Sequence, residues 1–156
     1  MLTAGEHEAN FQVWRHKVLV EDALHNLAVY RSGPWIPAAP AINVRPVTWE
    51  TRNAAIPAAA IEAGHAFAVM EDNKAVSWAF CQPPVKEPAG VLWVAVQTLQ
   101  AHRRKGYALA TLIALRNSVE MQHTLVYVHA PDNLASAELA QAAGFVREWI
   151  WKDESY

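Results

Sequence analysis

The sequence predicts a single α/β domain built on a mixed sheet, and three observations support this fold class. Two alternating apolar segments, His65–Met70 and Ala75–Cys81, flank the turn-like residues 71–74 and predict an antiparallel hairpin. No proline occurs between Pro88 and Pro131, so long uninterrupted elements are expected there. Within that stretch a strand, a helix and a second strand follow one another, which predicts a right-handed parallel crossover.

Size and composition narrow the class further. The chain has 156 residues, a formal net charge of −2, 53% apolar residues and one cysteine, Cys81. These values fit one folded domain over residues 1–156 without a disulfide or a cysteine-built zinc site, and no metal is predicted. Cys81 is expected to be a buried packing residue. The chain has no basic stripe, signal-peptide pattern or membrane-length apolar run, so we expect a cytoplasmic protein that binds neither nucleic acid nor membrane.

The first third of the chain carries weaker signals. Residues 6–30 are predicted to be mainly helical, because apolar residues recur near helical spacing from Phe11 onward. A proline-rich loop, a short edge strand and an alanine-rich helix are then expected at residues 33–41, 42–47 and 48–64. Thr48 is the predicted N-cap of that helix, and Pro57 is expected to interrupt it.

The elements after residue 90 are longer and clearer. Val91–Thr98 is the strongest strand, and its continuous apolar run predicts burial on both faces. A helix over residues 106–121, a strand over 124–128, a helix over 133–143 and a last strand over 145–151 follow. Trp149 and Trp151 lie two apart, so they share a face that would either cover the core or form a homodimer surface.

A basic turn separates the strand that ends at Thr98 from the next helix. Arg103-Arg104-Lys105 is the only run of three Lys or Arg residues in the chain, and Gly106 permits a tight backbone path after it. Backbone N–H groups at a helix N-terminus, together with this charge, suit a pyrophosphate. A solvated basic turn before an ordinary helix is the alternative interpretation.

Two motifs in this order resemble the GNAT superfamily of N-acetyltransferases, and the resemblance covers residues 65–151. The phosphate-loop pattern Gln/Arg-x-x-Gly-x-Gly/Ala is matched by Arg103, Gly106 and Ala108. The pattern Asn-x-x-Ala/Ser followed by Gly-Phe is matched by Asn133, Ser136, Gly144 and Phe145. The resemblance implies a mostly antiparallel central sheet flanked by helices, with two splayed central parallel strands. Residues 65–151 would form the acyl-CoA-binding core, and residues 1–45 an unmatched helical N-terminal part.

The resemblance also implies an acetyl-CoA site in the gap between the strands at 91–98 and 124–128. Pantetheine would pair with backbone of the first strand, the pyrophosphate would lie on the basic turn, and coenzyme A would be the product. The implied cofactor-binding residues are Val96, Gln97, Thr98, Arg103, Arg104, Lys105, Gly106, Tyr107, Ala108 and Asn133. Backbone N–H groups near Gln97 or Thr98 would stabilise the oxyanion.

The implied reaction is direct attack of a primary amine on the thioester in a ternary complex. Many GNAT enzymes use a tyrosine acid where this chain has Ala140, and a Glu or His base where it has Leu92 and Val94. Substitutes assigned by position are His129, Tyr127 and Ser136. His129 is the base candidate because histidine ordinarily titrates near neutral pH, and a surface loop histidine is the alternative. Tyr127 and Ser136 could instead be packing residues.

Three functions therefore stay open at the level of sequence. The first is an acetyl-CoA-dependent N-acetyltransferase acting on an amine acceptor. The second is a catalytically weak GNAT-fold sensor or interaction module that binds acyl-CoA, which the two departures from the family pattern favour. The third is an unrelated α/β domain whose basic turn binds another phosphate ligand.

Overall fold

The computed structural model describes residues 3–17, 27–82, 90–120 and 123–150, which form a seven-stranded mixed sheet with helices on both faces. The elements in chain order are α1 (Ala4–Lys17), β1 (Ala28–Ser32), β2 (Arg45–Pro46), α2 (Ala58–Glu62), β3 (Ala66–Glu71), β4 (Lys74–Gln82), β5 (Val91–Thr98), α3 (Tyr107–Val119), β6 (Thr124–His129), α4 (Leu134–Ala142) and β7 (Phe145–Ile150). A 3₁₀ turn over Gln100–His102 links β5 to α3. The sheet order is β2-β3-β4-β5-β6-β1-β7.

One parallel ladder interrupts an otherwise antiparallel sheet, as the sequence predicted. β5 and β6 pair in parallel, and every other neighbouring pair of described strands is antiparallel. The parallel ladder is only three residues long and ends at Trp93 opposite Val126. Beyond that point Val94–Thr98 pairs with β4 and Tyr127–His129 pairs with β1, so the two central strands diverge. The expected splay is therefore confirmed.

The predicted helix over residues 6–30 is wrong in its last part. α1 ends at Lys17, residues 18–26 lie outside the described part of the chain, and Ala28–Ser32 is strand β1. β1 lies between β6 and β7 and is antiparallel to both. Val29 packs with Phe11 of α1 on one face, whereas Tyr30 belongs to the core cluster on the other face. Pairing along both edges outweighs the local helical pattern, because it satisfies the backbone and buries both faces.

The side chain of Arg116 in α3 connects the residues after β1 to α3 and to the end of α4 through hydrogen bonds. The side chain is 0% exposed, and all five of its N–H groups donate hydrogen bonds. The acceptors are the Glu120 carboxylate and the carbonyl oxygens of Gly33, Trp35 and Ala143. A buried guanidinium is tolerated only when it is paired and fully hydrogen-bonded, and this one meets both conditions.

Several local predictions are confirmed. The hairpin of β3 and β4 turns at Asp72 and Asn73, which have φ values of 52° and 61° as a two-residue type I′ turn requires. The Asn133 side chain caps α4 by accepting a hydrogen bond from the Ser136 N–H at 3.1 Å. Gly144 follows α4 with a φ of 82°. Cys81 is buried, and this burial raises the pKa of its thiol to about 12, which suits a packing residue.

Other local predictions need correction. Thr48 does not cap a long helix: α2 begins only after Pro57, and Thr48 instead forms a turn in which its N–H donates to the Thr51 hydroxyl. β5 is not buried on both faces throughout, because the residues after Leu92 lose the neighbouring strand and are half-buried or exposed. The predicted face of Trp149 and Trp151 involves side chains outside the described part of the chain. Among the described residues, no helix has the length and apolar character to cross a membrane.

Candidate active site

The divergence of β5 and β6 opens a wedge, bounded by Val94–Thr98 on one side and Tyr127–His129 on the other. Val94 and Val96 are half-buried on the face that α3 and α4 cover, and Gln97 is exposed. No other described strand pairs with the β6-facing edge of β5 beyond Trp93, so this edge can pair with an extended ligand. The predicted residues Val96, Gln97 and Thr98 all lie along it.

The basic turn, Arg103–Gly106, sits directly beyond the end of β5. Arg104 has a φ of 64° and Gly106 a φ of 80°, so the backbone turns sharply into α3. Arg103 is anchored to β5, because its Nε donates to the Thr98 carbonyl oxygen at 3.2 Å. No side chain caps the N-terminus of α3. The first N–H groups of the helix, including those of Tyr107 and Ala108, therefore lack helical partners and present donors to an anion.

Glu71 at the end of β3 organises the side chains around this turn. Its carboxylate lies 3.0 Å from Nδ1 of His102, accepts a hydrogen bond from the Tyr107 hydroxyl and attracts Lys105. The Tyr107 bond is the largest cause that lowers the pKa of Glu71, and the same bond raises the pKa of Tyr107. The Lys105 ammonium lies 5.7 Å from the centre of the Tyr107 ring. Sequence reasoning placed Glu71 in a turn, because nothing local shows that β3 ends beside the basic turn.

Tyr127 and Ser136, two of the predicted catalytic residues, are in contact. The Tyr127 side chain is buried and hydrogen-bonds the Ser136 side chain. Burial is the largest cause of the raised pKa of Tyr127, and the bond to Ser136 opposes it. Ser136 lies in the first turn of α4, which Asn133 caps, so Asn133, Ser136 and Tyr127 form one connected group at the β6 side of the wedge.

His129 is buried, which makes the interpretation as a surface loop histidine wrong. It is 8% exposed, and its ring stacks on that of Tyr30 with 5.3 Å between centroids. Nδ1 lies 2.6 Å from the Ala130 carbonyl oxygen, which can only accept, so the network assigns the hydrogen to Nδ1. In the neutral ring, Nε2 then accepts from the Tyr30 hydroxyl at 3.2 Å. Tyr30 was missed by sequence reasoning because it falls within the predicted N-terminal helix.

A separate cavity of about 600 Å³ lies at the other end of the inner strands, where β6 begins at Thr124 and β1 ends at Ser32. Its charged lining includes Glu8, Arg31, Glu120 and Glu148, and it is built at the C-terminal end of α3. The 13 residues of α3 place it ~20 Å from the basic turn. Arg31 pairs with both Glu8 and Glu148, and Glu120 pairs with Arg116, so each of these carboxylates already has a guanidinium partner.

Two solved structures share this architecture. An acetyltransferase from the GNAT family of Colwellia psychrerythraea has a TM-score of 0.65 and 17% sequence identity, and the match covers 79% of this chain and 53% of that chain. A putative acetyltransferase from the GNAT family of Novosphingobium aromaticivorans has a TM-score of 0.60 and 14% identity, with 78% and 59% covered. The chain has the GNAT fold.

This identification rests on three-dimensional similarity. No protein-family model matches the sequence, and a comparison with curated proteins gives no significant match. The chain spans a little over half the length of the two GNAT structures. The sequence resemblance predicted the GNAT fold over residues 65–151, and the structure adds β1 to it, since β1 completes the sheet between β6 and β7.

Proposed function

We propose that this protein is an acetyl-CoA-dependent N-acetyltransferase that moves an acetyl group from the thioester to a primary amine by direct attack in a ternary complex. The observation that carries the proposal is the wedge, where an open strand edge meets the uncapped, cationic N-terminus of α3. A ligand with amides at one end could pair with the open strand edge, and a pyrophosphate at its other end could bind the N-terminus of α3. The GNAT fold supports the same general class of chemistry.

The proposal assigns each part of acetyl-CoA to named residues. The backbone of Val96, Gln97 and Thr98 would pair with the pantetheine amides, as a strand pairs with a peptide. The turn from Arg103 to Ala108 would hold the pyrophosphate through backbone N–H groups and the charges of Arg103, Arg104 and Lys105. Asn133, at the start of α4, would lie near the thioester end.

Catalysis would depend on proton removal and on charge stabilisation. An alkylammonium has a pKa of about 10.4, so an amine acceptor must lose a proton before it attacks at neutral pH. His129 is the proposed base, and backbone N–H groups near Gln97 or Thr98 would stabilise the oxyanion. The bound thioester supplies the acetyl group and a thiol leaving group. Tyr127 and Ser136 would lie near the departing sulfur and offer it hydrogen bonds without supplying its proton.

One observation favours a second candidate function. Ala140 occupies the position of the usual tyrosine acid and is fully buried in the core, so the tyrosine hydroxyl of the family pattern is missing at this position. A GNAT-fold protein that binds acyl-CoA as a sensor or interaction module, with little turnover, would have this property. A cytoplasmic location and a homodimer stay predictions of the sequence.

Calorimetric titration with acetyl-CoA, followed by thiol release with a panel of primary amines, tests the proposal. We expect saturable binding and amine-dependent release of free thiol. Binding without turnover on the whole panel would favour the sensor, whereas no binding of any acyl-CoA would contradict both functions.

A matched pair of variants locates the site. Gly106→Ala and Gly64→Ala both place a methyl group at a left-handed residue, with φ values of 80° and 76°, and both should lose about 1–2 kcal/mol of stability. Gly64 has no atom within 4 Å of the added carbon and lies after α2, away from the wedge. We therefore expect weakened acetyl-CoA binding only in Gly106→Ala. Equal affinities in the two variants would contradict a pyrophosphate site at the basic turn.

A further inference from the structure

Tyr30 comes from the part of the chain that the family resemblance leaves out. Tyr30 lies on β1, is 1% exposed, and belongs to the same core cluster as Val94 and Val96 of β5. Its side chain therefore lies on the face of the sheet that the open half of β5 also lines. Its hydroxyl is within hydrogen-bond distance of His129.

The hydrogen bonds of His129 restrict how it can act as a base. The Nδ1–H group is committed to the Ala130 carbonyl oxygen at 2.6 Å. A neutral imidazole has one accepting nitrogen, and here that nitrogen, Nε2, already accepts from the Tyr30 hydroxyl. A proton can therefore reach His129 only through the Tyr30 oxygen unless the ring leaves its stacked position.

We propose that Tyr30 and His129 form a phenol–imidazole relay in which the Tyr30 oxygen exchanges protons with the reacting groups and His129 stores the proton. This inference rests on the proposed acetyltransferase function and assigns the proton transfer of that function to a residue of β1. The pair would replace both side chains that the family pattern lacks here, since one relay can accept a proton and return it.

The steps start from the neutral amine, because the ammonium form first gives its extra proton to bulk water. The remaining proton balance needs no further reactant. As the amine nitrogen bonds to the acyl carbon, it gives a proton to the Tyr30 oxygen, whose own proton passes to Nε2 of His129. The bond between the acyl carbon and sulfur breaks, and its electron pair stays on sulfur. The imidazolium then returns its proton to the Tyr30 oxygen while the phenol proton moves to sulfur, which leaves an N-acetyl amide and a free thiol.

The test compares Tyr30→Phe, His129→Gln and the double variant. Thiol release with the best amine of the panel gives kcat and KM, and calorimetry gives the affinity for coenzyme A. We expect each single change to lower kcat about 100-fold with an unchanged KM for acetyl-CoA. The double variant should be no slower than the slower single variant, because both changes break one relay. His123→Gln is the matched control and should keep the wild-type kcat, because this half-buried histidine lies just before β6, at the opposite end of that strand from His129.

A second measurement tests the relay even if the substituted variants fold poorly. Site-specific incorporation of 3-fluorotyrosine at Tyr30 keeps the shape of the ring and makes the phenol more acidic. A relay predicts a change in kcat of about threefold or more, with KM unchanged, whereas a packing role predicts no change. The reference is the wild-type protein with unmodified tyrosine at position 30.

The outcomes separate the two proposals. A wild-type protein that releases thiol, with Tyr30→Phe within twofold of its kcat or with single effects that multiply in the double variant, would overturn the relay and leave the acetyltransferase proposal standing. A wild-type protein that releases no thiol with any amine would overturn the acetyltransferase proposal, and the relay with it.

Discussion

The Arg116 guanidinium donates a hydrogen bond to the Gly33 carbonyl oxygen at 2.8 Å, which joins α3 to the residue that follows β1. The same side chain reaches the turn between α4 and β7 through the Ala143 carbonyl oxygen. β1 carries Tyr30, and α4 carries Ser136. Arg116 therefore fixes the positions of β1 and α4 relative to each other, and these two elements supply proposed catalytic groups. It does so from the end of α3 that is far from the wedge.

Removing this guanidinium should be costly. Arg116→Lys keeps the charge but offers three donors where the native side chain uses five, so buried carbonyl oxygens and the Glu120 carboxylate lose partners. Breaking such a buried network costs about 3–5 kcal/mol, which urea denaturation would measure. Arg52→Lys, at an exposed side chain that contacts the Trp49 ring, is the control and should cost less than 1 kcal/mol. Equal losses in both variants would contradict the role given to Arg116.

Gly144 should tolerate no side chain. A Cβ there would lie 2.5 Å from the Trp35 carbonyl oxygen and 2.6 Å from an Arg116 nitrogen, in addition to the strain of a φ of 82°. At Gly64 the φ is 76° and the space is empty. Thermal unfolding should therefore show a much larger loss for Gly144→Ala than for Gly64→Ala, by about 2 kcal/mol or more. Similar losses would mean that the loop after β1 does not close against this turn.

The Glu71 carboxylate should make the stability of the basic turn sensitive to acid. Its folded pKa lies below the ordinary value of a glutamate, chiefly because of the hydrogen bond from Tyr107. A lowered folded pKa means that the stabilisation is present above the unfolded pKa and is lost as the pH falls through the folded pKa. We expect Glu71→Gln to show a smaller drop in melting temperature than the wild type between pH 6 and pH 3. Glu62→Gln on α2 is the control, and identical pH dependence in both variants would contradict the contact.

The local sequence was sufficient to predict those elements whose structure depends mainly on neighbouring residues. The run Val91–Thr98, the glycine before α3 and the Asn133 cap each predict their element, because strand pattern, turn and cap are set by neighbouring residues. The half-open state of β5 could not be read from its apolar run, since exposure there depends on where the ladder to β6 ends. A short apolar stretch does not indicate which strand will pair with it or where that pairing will end.

Tyr30 likewise could not be recognised from its neighbours in the sequence. Its segment reads as helix by spacing, and it becomes a strand only because β6 and β7, about 100 residues later, supply both edges. The pairing of Tyr30 with His129 is likewise a contact between residues 99 apart in sequence. Position alone identified His129, Tyr127 and Ser136 as candidates, whereas their hydrogen-bond partners required the structure.

The most direct measurement for the central claim is a nitrogen-15 NMR titration of the protein with coenzyme A. If the wedge and the basic turn form the binding site, the largest changes will fall on the amides of Val96–Thr98, Arg104–Ala108 and Asn133. The amides around the charged cavity at the other end of α3, such as those of Glu8 and Glu120, will stay unchanged. Changes confined to that cavity, or no saturable change at all, would contradict the account.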